Sequence, residues 1–250
     1  VDTKYGGRFG LIWPSGGIGN ITTGIRGTNE WHQLELQADH TSPGVVKLTG
    51  ILRDPDTSMV LHTITTNMFG SDILTGGNAG IQIEDTNPQG RPHIFVDNYC
   101  QEYTFETTTT SSTSTTGPNC DDFDSYTDGD QLRNNLGLPD ADWIAGQHGW
   151  LEKSTVTIVG ADAGTYEVVI DPTLGSSYNT SFNQISTFNI GSHNFASVQA
   201  DVIYTNTGNA QVGGVVLHNA GTTIGMYGNV GHYRFSVDTK YGGRFALSWP

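Results

Sequence analysis

Residues 121–130 carry Asp121, Asp122, Asp124, Asp128 and Asp130 in one short stretch. Hard cations take several oxygen ligands from carboxylates and carbonyls. The chemistry on offer is a structural Ca2+ site, with Asp122 and Asp124 as ligands. Asp97 joins them if the strand that carries it pairs alongside. The spacing is not that of an EF-hand, because Tyr126 stands where a ligand is needed and Asn135 where a closing Glu belongs. The competing reading is a solvated acidic turn with capping carboxylates.

No catalytic arrangement emerges from the remaining polar residues. Glu84 and Asp85 are adjacent and so point to opposite faces of a strand. Glu30 and Glu35 fall on opposite parities, and Glu167 has only Asp171 near it. The eight His are scattered, without the pairs that bind a catalytic metal. No Gly-x-Ser-x-Gly elbow occurs, and Gly16-Gly-Ile-Gly19 misses the dinucleotide fingerprint. The expectation is therefore no enzyme. Sugar stacking on exposed rings is the alternative chemistry, with Trp31, Trp143, Trp150 and Tyr227 as candidates for a polysaccharide partner. Against it stands burial of the same rings in a core or a domain contact.

Cys100 and Cys120 flank a Thr/Ser tract, residues 107–116. A disulfide between them would close a loop around that tract, and the chain-entropy model assigns such a bridge roughly 3 kcal/mol. Two free thiols are the other possibility. The tract is polar and cannot build a core, so residues 106–119 read as a linker. Thr107, Thr108, Thr109 and Thr110 are candidate O-glycosylation sites, and the other reading is a bare linker. Asn20 and Asn179 each open an Asn-x-Ser/Thr sequon.

These groups sit on a chain whose ends match. Residues 1–14, VDTKYGGRFGLIWP, return at 237–250 as VDTKYGGRFALSWP. Only Gly10 against Ala246 and Ile12 against Ser248 differ. Side chains alternate faces along a strand. Phe9, Leu11 and Trp13 share one face, as do Phe245, Leu247 and Trp249, and both changes fall on the other. A retained apolar face and a drifting opposite face describe a packed strand. The two copies are expected to be equivalent assembly strands. Such a repeat points to a head-to-tail array.

Composition fits strands throughout. Gly is abundant at 33 and charged residues are sparse at 14%. That profile favours short strands and tight turns. The net charge of −14 argues against nucleic acid, whose phosphates need a basic footprint. No run of eighteen apolar residues occurs, so no membrane insertion is expected. Alternation predicts strands over residues 30–40, 45–52, 60–66, 79–84 and 93–99. After the tract it predicts 150–159, 165–170, 196–204, 212–218, 222–227, 233–241 and 244–249. Residues 70–80 carry at most a turn of helix. Residues 1–105 and 120–250 each look incomplete, as the C-terminal and N-terminal parts of one unit. Joining Pro250 to Ser15 gives one continuous set of strands.

In that order the unit resembles the concanavalin A-like, laminin-G-like jelly roll. The resemblance rests on Asp121-Asp-Phe-Asp-Ser-Tyr126, on Trp143 to Trp150, on Glu30-Trp-His-Gln-Leu-Glu-Leu36 and on His93-Ile-Phe-Val-Asp-Asn-Tyr99. It implies two antiparallel sheets face to face, and a structural calcium that ties the ends of the domain. The Glu-x-Asp-x-x-Glu pattern of the related glucanases is absent. The expectation is an all-β antiparallel β-sandwich, a jelly roll with its chain out of phase. Its expected role is that of a fibre or stalk subunit, extracellular or at the cell surface, with itself as partner. The alternative is a carbohydrate-binding module of a large adhesin.

Overall fold

The computed structural model describes residues 17–20, 30–74, 76–85, 94–106, 113–124, 126–127, 131–132, 143–145, 149–153, 166–170, 179–189, 195–204, 211–219, 232–238 and 244–249. Their strands are β1 (Gly17–Asn20), β2 (His32–Ser42), β3 (Val45–Arg53), β4 (Val60–Phe69), β5 (Gly76–Asp85), β6 (Ile94–Glu106), β7 (Thr113–Asp121) and β8 (Gln131–Leu132). There follow β9 (Trp143–Ala145), β10 (Gly149–Lys153), β11 (Tyr166–Ile170), β12 (Asn179–Asn189), β13 (Phe195–Tyr204), β14 (Gln211–Asn219), β15 (His232–Asp238) and β16 (Arg244–Ser248). A single 3-10 turn, Gly70–Asp72, is the only helical element among the described residues.

Alternation decides which way each strand faces. In β2, His32, Leu34, Leu36, Ala38 and His40 are buried, while Gln33, Glu35, Gln37 and Asp39 are half-buried on the other face. Pro43 and Gly44 turn the chain between Ser42 and Val45. Gly44 sits at φ +77°, the left-handed region where glycine needs no strain. The next turn is held by Asp54, whose Oδ1 accepts the amides of Asp56 and Thr57 at 2.9 and 3.3 Å.

The strands form two antiparallel sheets. One runs β1-β16-β15-β14-β5-β12-β9, and the other β4-β3-β2-β13-β6-β11-β10-β8 with β7 also paired to β6. They face each other across a shared apolar core, as a sandwich does. The first sheet contributes Ile81, Val215, Leu217, Tyr233, Phe235, Phe245 and Leu247. The second contributes Leu34, Leu36, Leu48, Leu52, Ile64, Met68, Tyr99, Ala196, Val198 and Val202. Gly50 on β3 lies against the Phe235 ring, and a β-carbon there would collide with it. Tyr233 is fully buried and its hydroxyl accepts the Leu74 amide at 2.7 Å.

The two long segments interleave. Strand β13 lies between β2 and β6, and β5 lies between β14 and β12. The all-β antiparallel sandwich expected from the sequence is therefore present. The tract read as a linker over 106–119 is strand at both ends. Glu106 closes β6, and β7 opens at Thr113 and pairs back along β6. A polar sequence forms strand here because the neighbouring strand satisfies its backbone groups. Residues 107–112 lie outside the described set, as do 154–165 and 220–231.

Candidate functional site

The described half of the duplicated segment forms the edge region of the first sheet. In β16, Phe245 and Leu247 are fully buried, and just past the strand Trp249 packs half-buried against the core. The ring of Phe245 lies 6.2 Å from that of Phe235 and 5.8 Å from that of His32. Phe245 thus bridges its own sheet and β2 of the facing sheet. Burying a Phe and a Leu contributes about 1.5–3 kcal/mol each. Phe9, Leu11 and Trp13 lie outside the described residues.

Strand β16 has a partner on each side. On one side β15 pairs with it from Arg234↔Ser248 to Asp238↔Arg244. On the other, β1 pairs through Gly17↔Ser248, Ile18↔Leu247, Gly19↔Ala246 and Asn20↔Phe245. Alternation was enough to identify the inward residues of β16. It could not identify β1, whose Gly-Ile-Gly-Asn carries too little side chain to show a period. Of the glycine-rich run that misses the dinucleotide fingerprint, Gly17, Ile18 and Gly19 are strand.

The proposed cation ligands lie on the other sheet and in the turn that follows β7. Asp97 lies in β6 at 5% exposure, opposite Asp201 of β13. Its Oδ1 accepts the Asn98 amide at 2.8 Å. Asn98 itself stands at φ 49° in a bulge, and its side-chain amide donates to Asp201 Oδ2 at 2.9 Å. The other oxygen of Asp201 accepts from Gln33 Nε2 at 3.1 Å. The β6–β7 pairing ends at Tyr99↔Asp121, two residues from Asp97 and one from Asp122. Asp122 and Asp124 are exposed, and Asp122 Oδ1 accepts the Asp124 amide at 3.1 Å. Among the described residues no group of three or more His, Cys, Asp or Glu is placed to hold a metal.

Asp121 organises this turn. Its Oδ1 accepts the Phe123 amide at 2.8 Å and its Oδ2 accepts the Tyr126 hydroxyl at 3.0 Å. Phe123 and Tyr126 are buried beside it. Cys100 and Cys120 are joined by a disulfide directly across the β6–β7 pair. Tyr99 is wholly buried next to them, its hydroxyl donating to Gln101 Oε1 at 3.0 Å. Burial, and then the neighbouring Tyr103 and Asp121, push its pKa well above the ordinary tyrosine value.

The other predicted residues are dispersed. Trp31 is half-buried just before β2, and its indole Nε1 is buried without a hydrogen-bond partner. Trp143 opens β9 opposite Gln184, and Trp150 pairs with Val169. Tyr227 lies outside the described residues. Asn20 ends β1 and Asn179 begins β12, while Thr107, Thr108, Thr109 and Thr110 fall outside. A polar face was not singled out from the sequence. Gln33, Glu35, Gln37 and Asp39 of β2 share a sheet face with Ser197 and Gln199 of β13 and Glu102 of β6. Arg53 Nη2 holds Glu35 at 2.8 Å, and Gln37 donates to the same carboxylate. The period-two pattern of β2 was the signal for it.

No known protein-family model matches the chain, and no curated protein matches it. Among the described residues no helix is long and apolar enough to cross a membrane.

Proposed function

We propose that the protein is a structural subunit of an extracellular or cell-surface fibre, joining copies of itself head to tail. The reading is carried by one observation. Residues 244–248 of the tail copy form a core strand, β16, and its sheet neighbour β1 begins at Gly17, shortly after the head copy ends at Pro14. A chain with two such strands and sheet positions for them can link to its neighbours without closing a ring, which makes a filament. The jelly-roll resemblance and the Thr/Ser tract suit a secreted repeat protein. Sedimentation and electron microscopy of purified protein test this. Linear assemblies that lengthen with concentration are expected, and a strict monomer at every concentration overturns it. A structural Ca2+ at Asp97, Asp122 and Asp124 belongs to the same proposal, and predicts a lower melting temperature after chelation.

A second reading, binding of polysaccharide, is favoured by the polar face of β2 and β13. Its amides and carboxylates are half-buried and suited to sugar hydroxyls. Glycan-array binding that is lost in Gln37→Ala and Gln199→Ala would support it, and an array without signal would count against it.

A further inference from the structure

The register of β16 against β1 carries more than the fold. Residues 9–12 repeat residues 245–248 in order, so Phe9 stands for Phe245, Gly10 for Ala246, Leu11 for Leu247 and Ile12 for Ser248. Transferred to the observed register, Ile12 would face Gly17, Leu11 would face Ile18, Gly10 would face Gly19 and Phe9 would face Asn20. The residues left between Ile12 and Gly17 are 13–16, Trp-Pro-Ser-Gly. Four-residue loops rich in turn formers are an ordinary hairpin connection. The head copy could therefore reach the position of β16 by a direct hairpin, without any shift in register.

The two differences between the copies point the same way. Ala246 and Ser248 lie opposite Gly19 and Gly17, where β1 offers no side chain. The residues that must fit, Phe245 and Leu247 in the core and Arg244 opposite Asp238, are identical in the head copy as Phe9, Leu11 and Arg8. Substitution has been confined to sites where β1 places no demand.

We propose that the place of β16 is an exchangeable slot, bounded by β15 and β1, whose partner is the duplicated segment itself. Residues 245–248 fill it in the structure, and residues 9–12 fill it in the same register when the tail leaves. Each chain then has one slot and two strands that fit it. Within a single chain the exchange needs no assembly. Between chains it rests on the fibre reading above: a tail that enters the next copy's slot leaves its own open, and the head copy closes the open slot at the end of the run.

Cysteine trapping tests this in the full chain. Gly19→Cys with Ala246→Cys calibrates the geometry and should link within the chain on oxidation. Gly19→Cys with Gly10→Cys reports the head copy in the slot. Adding Phe245→Asp and Leu247→Asp to the second pair drives two carboxylates into the core and ejects the tail. The disulfide between positions 10 and 19, identified by peptide mapping, should then dominate, with a cooperative melting transition retained. Adding Phe9→Asp and Leu11→Asp as well should abolish both the link and the transition. A tail-damaged protein that fails to fold overturns the proposal, because a fitting head copy would have kept the sheet closed. So does one that folds without the link while the calibrating pair closes. The calibrating pair, whose tail is intact, separates the two readings. A product of monomer mass at every concentration leaves exchange within a chain and speaks against the tail as the fibre joint, and multiples of that mass support both.

Discussion

Gly50 and Phe235 bring the two sheets into close contact at a single pair of residues. The aromatic ring occupies the space that any side chain at position 50 would need. Gly50→Ala should therefore cost about 1–3 kcal/mol of stability through overpacking, read from chemical denaturation. Phe235→Leu made alone should also destabilise, but the double variant should lose less than the sum, since each change relieves the other. Tyr99 makes a second residue-scale prediction. Its folded pKa is raised by burial, so the folded state holds the proton where the unfolded chain has released it. Stability should be level with respect to this group below the ordinary value of 10.0 and fall as pH rises beyond it. Alkaline denaturation of Tyr99→Phe against the parent checks this, and the variant should lose less above that pH. The glycine in β3 was visible in the sequence, but its ring partner was not, because Phe235 lies far along the chain and in the other sheet.

At the scale of elements, what the sequence revealed depended on period. Strands β2 and β13 were legible because His32–His40 and Phe195–Ala200 bury every second residue, whereas β15 buries Tyr233, Arg234 and Phe235 in succession and was read from its alternating residue types alone. Strand β12 was not. Its apolar residues Phe182, Ile185 and Phe188 come three apart, and the register against β5 shifts between Asn183 and Thr187. A bulge inserts residues on one strand and breaks the period that would betray it. Strand β7 was missed for a different reason: it has no apolar face, and pairing with β6 holds it. The Cys100–Cys120 bridge fastens that pairing next to the Asp121 turn. Replacing both cysteines by serine should lower stability by about 3 kcal/mol on the chain-entropy account, measured by denaturation with and without reductant. Of the candidate site, the inward residues of β16 were readable from the duplicate, while its register with β1 was not, since glycines leave no pattern to align.

At the scale of the molecule, both sheets mix strands from before and after the Thr/Ser tract, so many of their hydrogen bonds join distant parts of the chain. Domains dominated by such distant pairings fold slowly. Refolding on the scale of milliseconds to seconds is expected by stopped-flow fluorescence, and a microsecond phase carrying the full amplitude would contradict the topology. The formal charge of −14 opposes association through like-charge repulsion, and added salt should promote self-association by screening it. Met59, Val60 and Phe69 are the exposed large apolar residues among those described, and they lie on or beside the edge strand β4. Among the described residues no strand pairs with the outer side of β4, and an edge of this kind is a ready template for another strand.

The interleaving has one more consequence, for a chain cut in two. Severing the backbone between residues 107 and 112 would leave two polypeptides, each short of the strands that its own sheets require. β13 on one piece would still pair with β2 and β6 on the other, and β5 with β12 and β14. The halves should therefore restore each other when produced separately and mixed, and elute as one particle even in reductant, where the cystine tether no longer holds them. That would make the protein a natural split reporter, with its breakpoint already marked by the threonines.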